Sequence, residues 1–247
     1  MKMIILAAGQ GTRLRPLTDD KPKCMVAYRE KPIINTILET ANAVNIEDIA
    51  IVSGYKEEIL KNHLKKYDVK FYTNSEFTTT NMVSTLFCAK EFMDDDLIVS
   101  YADIIYSQEV LQKLVAAPHD FSVVVDTKWR ELWNQRMKNP LDDVETLKIE
   151  NGCIVELGKK PTEYNEIEGQ YIGLVKISKG VINSVLTYYE SLDKNKLYDG
   201  KNFNNMYMTS FIQSIIDNLL QVRPIMIEGG WIEIDCVEDL KVRMVYA

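Results

Sequence analysis

Histidine is nearly absent: His63 and His119 are the only two in 247 residues. Each stands alone, His63 in a lysine-rich stretch and His119 after Pro118 in a turn. Histidine general-base catalysis and a histidine-built zinc site are therefore not expected. Cysteine is scarce and scattered (Cys24, Cys88, Cys153, Cys236), with no CxxC and no metal spacing, so reduced thiols in a cytoplasmic setting are expected. No apolar run approaches the roughly 20 residues of a membrane span. The short run at the start gives way to Gly9-Gln10-Gly11 and charge, which argues against a signal peptide. Repeats, low-complexity tracts and linkers are also missing, and residues 1–247 read as one α/β domain.

Positive charge is in short supply overall. The chain carries 29 Lys and Arg against 36 Asp and Glu, a net charge of -7, which argues against a nucleic-acid binder. The balance is uneven, however. Residues 1–31 hold Lys2, Arg13, Arg15, Lys21, Lys23, Arg29 and Lys31 against only Asp19, Asp20 and Glu30. A basic segment on an acidic body suits a small anionic ligand.

What is present is an alternation of strand and helix patterns. Met3–Ala7, Ile49–Ser53, Val69–Tyr72, Leu97–Ser100 and Ser122–Asp126 read as strands. Pro32–Ala43, Lys56–Lys66, Met82–Phe92 and Gln108–Ala116 read as helices between them. This rhythm predicts a mostly parallel sheet with helices on both faces. The second half changes character. Asn151-Gly152 marks a hairpin of Glu145–Glu150 with Cys153–Leu157. Tyr171–Ile177, Val222–Ile227 and Trp231–Ile234 read as strands, and Ser178–Glu190, Tyr207–Leu219 and Val237–Val245 as helices, with Ser178 an N-cap.

The richest stretch is Leu6-Ala7-Ala8-Gly9-Gln10-Gly11-Thr12-Arg13-Leu14, continued by Pro16, Thr18 and Pro22-Lys23. Glycines let backbone N–H groups approach a ligand, and Arg13 and Lys23 can neutralise it, which suits a polyphosphate. Leu14 stands where a dinucleotide fingerprint needs its third glycine, and no GKS or GKT marks a Walker loop. With its Pro22-Lys23 continuation the stretch resembles the signature of the sugar-nucleotidyltransferase-like superfamily. That resemblance implies a Rossmann-like three-layer α/β/α sandwich with a mixed, mostly parallel sheet. It implies that Leu6, Ala7, Ala8, Gly9, Gly11 and Thr12 cradle an NTP, with Arg13 and Lys23 as the catalytic cations on its phosphates.

Further elements resemble the branch that cytidylylates small phosphates, with phosphocholine, 2-aminoethylphosphonate and phosphoglutamine as acceptors. Ala102-Asp103 and Glu233-Ile234-Asp235 resemble its acidic elements, implying Mg²⁺ on Asp103 and Asp235, with Glu233 left open. Asn81 and Ser84 resemble its helix start, and Gly54-Tyr55 its base-side loop. Residues 1–126 would form the nucleotide half and 127–247 the acceptor half. Asp126, Trp129, Lys160, Gln170, Tyr171 and Tyr207 are the expected acceptor contacts. Trp129 and Trp133 could wall a zwitterionic amine, or serve as core tryptophans. CTP with L-glutamine phosphate, in surface polysaccharide synthesis, is the preferred pairing. The rivals are a 2-aminoethylphosphonate or phosphocholine cytidylyltransferase, a sugar-1-phosphate nucleotidyltransferase using UTP, dTTP or GTP, and an inactive nucleotide-binding protein. No nucleic acid or membrane partner is expected, and a homodimer would be the commonest assembly.

Overall fold

In the structure, a computed structural model describing residues 1–245, seven strands form one sheet. In chain order they are β1 (Lys2–Ala7), β2 (Asp48–Ser53), β3 (Val69–Thr73), β4 (Leu97–Tyr101), β5 (Phe121–Asp126), β6 (Gln170–Ile177) and β7 (Arg223–Ile227). Their order across the sheet is β7-β5-β6-β4-β1-β2-β3. All neighbouring pairs are parallel except those of β6, which runs antiparallel to both β4 and β5. The sheet is therefore mixed and mostly parallel, as expected.

Seven α-helices cover it: α1 (Ile33–Ala43), α2 (Glu57–Leu64), α3 (Met82–Phe87), α4 (Gln108–Val115), α5 (Trp129–Arg136), α6 (Lys179–Ser191) and α7 (Met208–Asn218). The period of two along β1 divides the core. Met3, Ile5 and Ala7 join the cluster of α1, α2, α4 and α5. Ile4 and Leu6 join that of α3, α6 and α7. Met3, Ile4 and Ile5 are fully buried, each side chain contributing about 1.5–3 kcal/mol.

Several boundaries move for identifiable reasons. The helix expected over Met82–Phe92 ends at Phe87, and a 3₁₀ turn over Lys90–Phe92 carries Phe92 into the core. The expected hairpin strand from Glu145 begins instead at Leu147, because the Gln170 side chain takes the Glu145 backbone. The turn itself is as read, with Asn151 at φ 51° and Gly152 at φ 74°. Ser178 stands at the N-cap of α6, but its hydroxyl donates to Asp120 instead of capping. The C-terminal helix expected over Val237–Val245 is only a 3₁₀ turn, Glu238–Lys241. The chain leaves it extended, and the carbonyls of Val242 and Val245 accept from Tyr28 Oη and Gly230 N.

Candidate active site

Parallel strands end together, and their carboxyl ends leave a crevice. Leu6 of β1 is in register with Tyr101 of β4, so the glycine loop after β1 and the Ala102-Asp103 segment after β4 lie side by side. A third segment joins them. Trp231–Glu233 pairs antiparallel with Ile104–Tyr106, and Ile234 N donates to the Asp103 carbonyl at 2.9 Å. This ladder brings Asp235 opposite Asp103.

Lys23 sits between the two carboxylates. Its Nζ is 2.6 Å from Asp103 Oδ2 and 2.8 Å from Asp235 Oδ1. Arg13, 70% exposed, pairs with the other oxygen of Asp235. Burial alone would lower the Lys23 pKa; Asp103, Asp235 and Glu233 outweigh it and hold the ammonium above its usual range. Glycine at position 11 makes this approach feasible. Gly11 has φ +61°, and a Cβ there would lie 2.8 Å from Lys23 Cβ. Fully buried Thr18 donates to the Gly11 carbonyl at 2.8 Å and ties the loop. Burial pushes the neighbouring Cys24 thiol up to about 12, which removes it as a nucleophile.

Two adjoining clefts meet at this ion cluster. The first, about 300 Å³, is lined by Leu6, Ala7, Ala8, Gly9, Gly11, Thr12, Arg13, Lys23, Asn81, Ala102, Asp103 and Asp235, all anticipated from sequence. The second, about 220 Å³, includes Arg13, Asn81, Gln170, Tyr171, Tyr207 and Asp235. Glu233, left open above, faces both clefts along with Asp235, as the period of two requires.

Six anticipated residues line neither cleft. Asp126 is 1% exposed, and its carboxylate is consumed by Trp231 Nε1 and the N–H groups of Gly229 and Lys128. Trp129 is core, packed on Trp133 and Tyr164; Trp133, one turn on, reaches the second cleft instead. Lys160 Nζ is spent on the Leu141 carbonyl. Tyr55 donates its N–H to the Ala8 carbonyl and its hydroxyl to that of Thr18, so it braces the glycine loop. Gly54 lies against Ala8 and Phe77, and Phe77 faces the first cleft. Ser84 points to the Asn204 carbonyl. Gln170 does border the second cleft, but its amide is engaged by the backbone of Glu145.

Sequence reading missed Glu145, Tyr101 and the support beneath Asp235. Arg136 Nη1 is 2.7 Å from Glu233 Oε2, and its Nε is 3.0 Å from Asp239 Oδ1. Asp239 Oδ2 accepts from the N–H groups of Asp235 and Cys236 at 2.8 and 2.9 Å. The apolar spacing Trp129, Leu132, Trp133 was the available signal for α5 and hence for Arg136. Glu145 carries no such local mark.

The donor set fits a divalent cation. Asp103 Oδ1 is buried with no hydrogen-bond partner. No group of three or more His, Cys, Asp or Glu forms a self-sufficient metal cluster among the described residues. Two carboxylates completed by phosphate oxygens is the arrangement a small hard cation accepts.

A glycine loop, paired cations and facing carboxylates at the carboxyl edge of such a sheet define a nucleotidyltransferase, and sequence comparison agrees. Residues 3–160 match the MobA-like NTP transferase domain, and the chain belongs to that family. It is 51% identical over 251 residues to the CTP:phosphoglutamine cytidylyltransferase of Campylobacter jejuni, covering 99% of each chain. It is 27% identical to the choline-phosphate cytidylyltransferase of Streptococcus pneumoniae over 81% of this chain and 92% of that one. The solved structure of the Streptococcus pneumoniae CTP:phosphocholine cytidylyltransferase superposes with a TM-score of 0.71 at 24% identity, over 97% of this chain and 96% of that one, and shares the fold.

Proposed function

We propose that the protein transfers CMP from CTP to L-glutamine phosphate, releasing pyrophosphate, with Mg²⁺ as the cation. The observation that carries this reading is Lys23 held between Asp103 and Asp235 in the first cleft, with Asp235 and Arg13 shared by the second. The likeness to the Campylobacter jejuni enzyme supports the choice of nucleotide and acceptor.

The nucleotide occupies the first cleft and the acceptor the second. The acceptor's phosphoryl oxygen is the nucleophile and attacks the α-phosphorus in line. A phosphomonoester's second pKa is near 6, and an anionic phosphoryl nucleophile of this kind needs no general base. Lys23 stabilises charge developing on the α-phosphate and orients the acceptor oxygen, while Arg13 holds the β- and γ-phosphates. Asp103 and Asp235 would hold the cation, which supplies charge neutralisation on the triphosphate. Glu233 lies within this field. Residues 1–126 would supply most nucleotide contacts and 127–247 most acceptor contacts. A cytoplasmic location suits a CTP-consuming enzyme, and a homodimer is compatible with this reading.

Pyrophosphate release tests the proposal across CTP, UTP, dTTP and GTP and across phosphoglutamine, 2-aminoethylphosphonate, phosphocholine and sugar 1-phosphates. Turnover with CTP and phosphoglutamine is expected, reduced about 10²-fold or more by Lys23→Ala. Preference for UTP or dTTP with a sugar 1-phosphate would overturn it.

A further inference from the structure

The second cleft is acidic at the end away from Lys23. Asp143 and Glu145 line it there with no cation beside them; at the shared end Arg13, the one basic side chain among the described lining residues, stands with Glu233 and Asp235. Glu145 is held in place deliberately by the fold. Its N–H donates to Gln170 Oε1 at 3.2 Å, and its carbonyl accepts from Gln170 Nε2 at 2.6 Å. Gln170, 5% exposed at the start of β6, thus spends its amide on positioning its neighbour. The Glu145 carboxylate receives Thr209 Oγ1 at 3.4 Å and forms no ion pair among the described residues. Burial, with Asp143 and Asp199 adding to it, pushes its carboxyl up to about 7. A half-buried carboxylate without a cation is costly unless function retains it.

An independent feature points into the same space. The Tyr171 hydroxyl is buried, borders the second cleft and has no polar neighbour to pair with besides the Tyr101 hydroxyl, which makes no well-formed hydrogen bond to it. Tyr101, Trp133 and Trp231 supply aromatic walls. An acidic end with aromatic walls suits a cation, whereas at the other end Arg13 can meet an anion alongside the carboxylates that would hold a metal.

We propose that Glu145, flanked by Asp143, receives an ammonium group carried by the acceptor at the end remote from its phosphate. The inference rests on the cytidylyl-transfer reading and deepens it, because it fixes the direction in which the acceptor lies. The Tyr171 hydroxyl is free to accept from the same ammonium. An amine then becomes a requirement for acceptors, and neutral sugar phosphates are disfavoured by the unpaired carboxylate they would leave.

The experiment compares wild type and Glu145→Gln on L-glutamine phosphate and on its analogue with hydrogen in place of the α-amine. Both kcat/KM and calorimetric binding to the free enzyme are measured. The wild type should prefer the amine by about 10- to 100-fold, the range of a charge-assisted contact. The variant should lose that preference through the amine acceptor alone, with the KM for CTP unchanged. Equal losses on both acceptors, or a preserved preference, would overturn the inference. Absence of pyrophosphate release with every acceptor would instead overturn cytidylyl transfer, and calorimetry would still report on Glu145.

Discussion

Gly9 and Gly11 occupy one loop yet answer to different demands. A Cβ at Gly9 meets nothing within 4 Å, whereas one at Gly11 meets Lys23 and Thr18 in a left-handed backbone. Gly11→Ala should therefore cost about 1–3 kcal/mol of stability and displace Lys23, visible as a lower Tm together with lower kcat. Gly9→Ala should leave the Tm unchanged and raise the KM for CTP, because the added methyl projects into the first cleft. A variant pair with equal Tm values would contradict this assignment. The glycines were legible as a pair because both are needed to bring backbone to a polyphosphate. Their division of labour was not, since it depends on Lys23 folding back twelve residues later.

The helix α5 and the segment around Asp235 form one mechanical unit through Arg136. Its side chain is 4% exposed and bridges Glu233 to Asp239, and Asp239 in turn caps the N–H groups of Asp235 and Cys236. Burial would raise the Asp239 pKa, but Arg136 and the two N–H donors bring it below the usual carboxylate range. Arg136→Ala strips the cation from buried Asp239 and half-buried Glu233 and should cost about 3–5 kcal/mol, read as a fall in denaturation midpoint. Replacement by lysine should restore little, lacking the planar fork that spans both carboxylates. The strands of the first half were legible because their apolar runs are continuous. The same chain signals misjudged the C-terminus: Val237–Val245 has a helical apolar spacing, but Asp239 turns inward and Val242 leaves extended. Asp126 and Trp129 were misread for a related reason. A carboxylate and a tryptophan beside a strand end are equally good anchors for Trp231 and the core, and only tertiary packing separates the uses.

At the scale of the molecule, the acceptor end carries a stability cost that depends on pH. With its pKa raised from 4.5 to about 7, Glu145 favours the folded state fully below pH 4.5 and loses that contribution as pH rises toward 7. Glu145→Gln should thus match wild type near pH 4 and exceed it by about 3 kcal/mol at pH 8, measured by denaturant titration at both pH values. A constant gap across that range would mean the carboxylate is not desolvated. Most of the nucleotide cleft was legible in sequence because its residues are contiguous, Leu6 to Arg13. The second cleft was legible only in part: Gln170, Tyr171 and Tyr207 were anticipated, but Asp143, Glu145 and Trp231 join them only through tertiary packing. The reversed strand β6 explains that difference and has a consequence for how the site is assembled. It presents its first residues, Gln170 and Tyr171, at the rim where the other six strands present their last. The glycine loop follows the end of its strand, while the wall of the second cleft opens its own, so the two sides of the site hang on different chain segments.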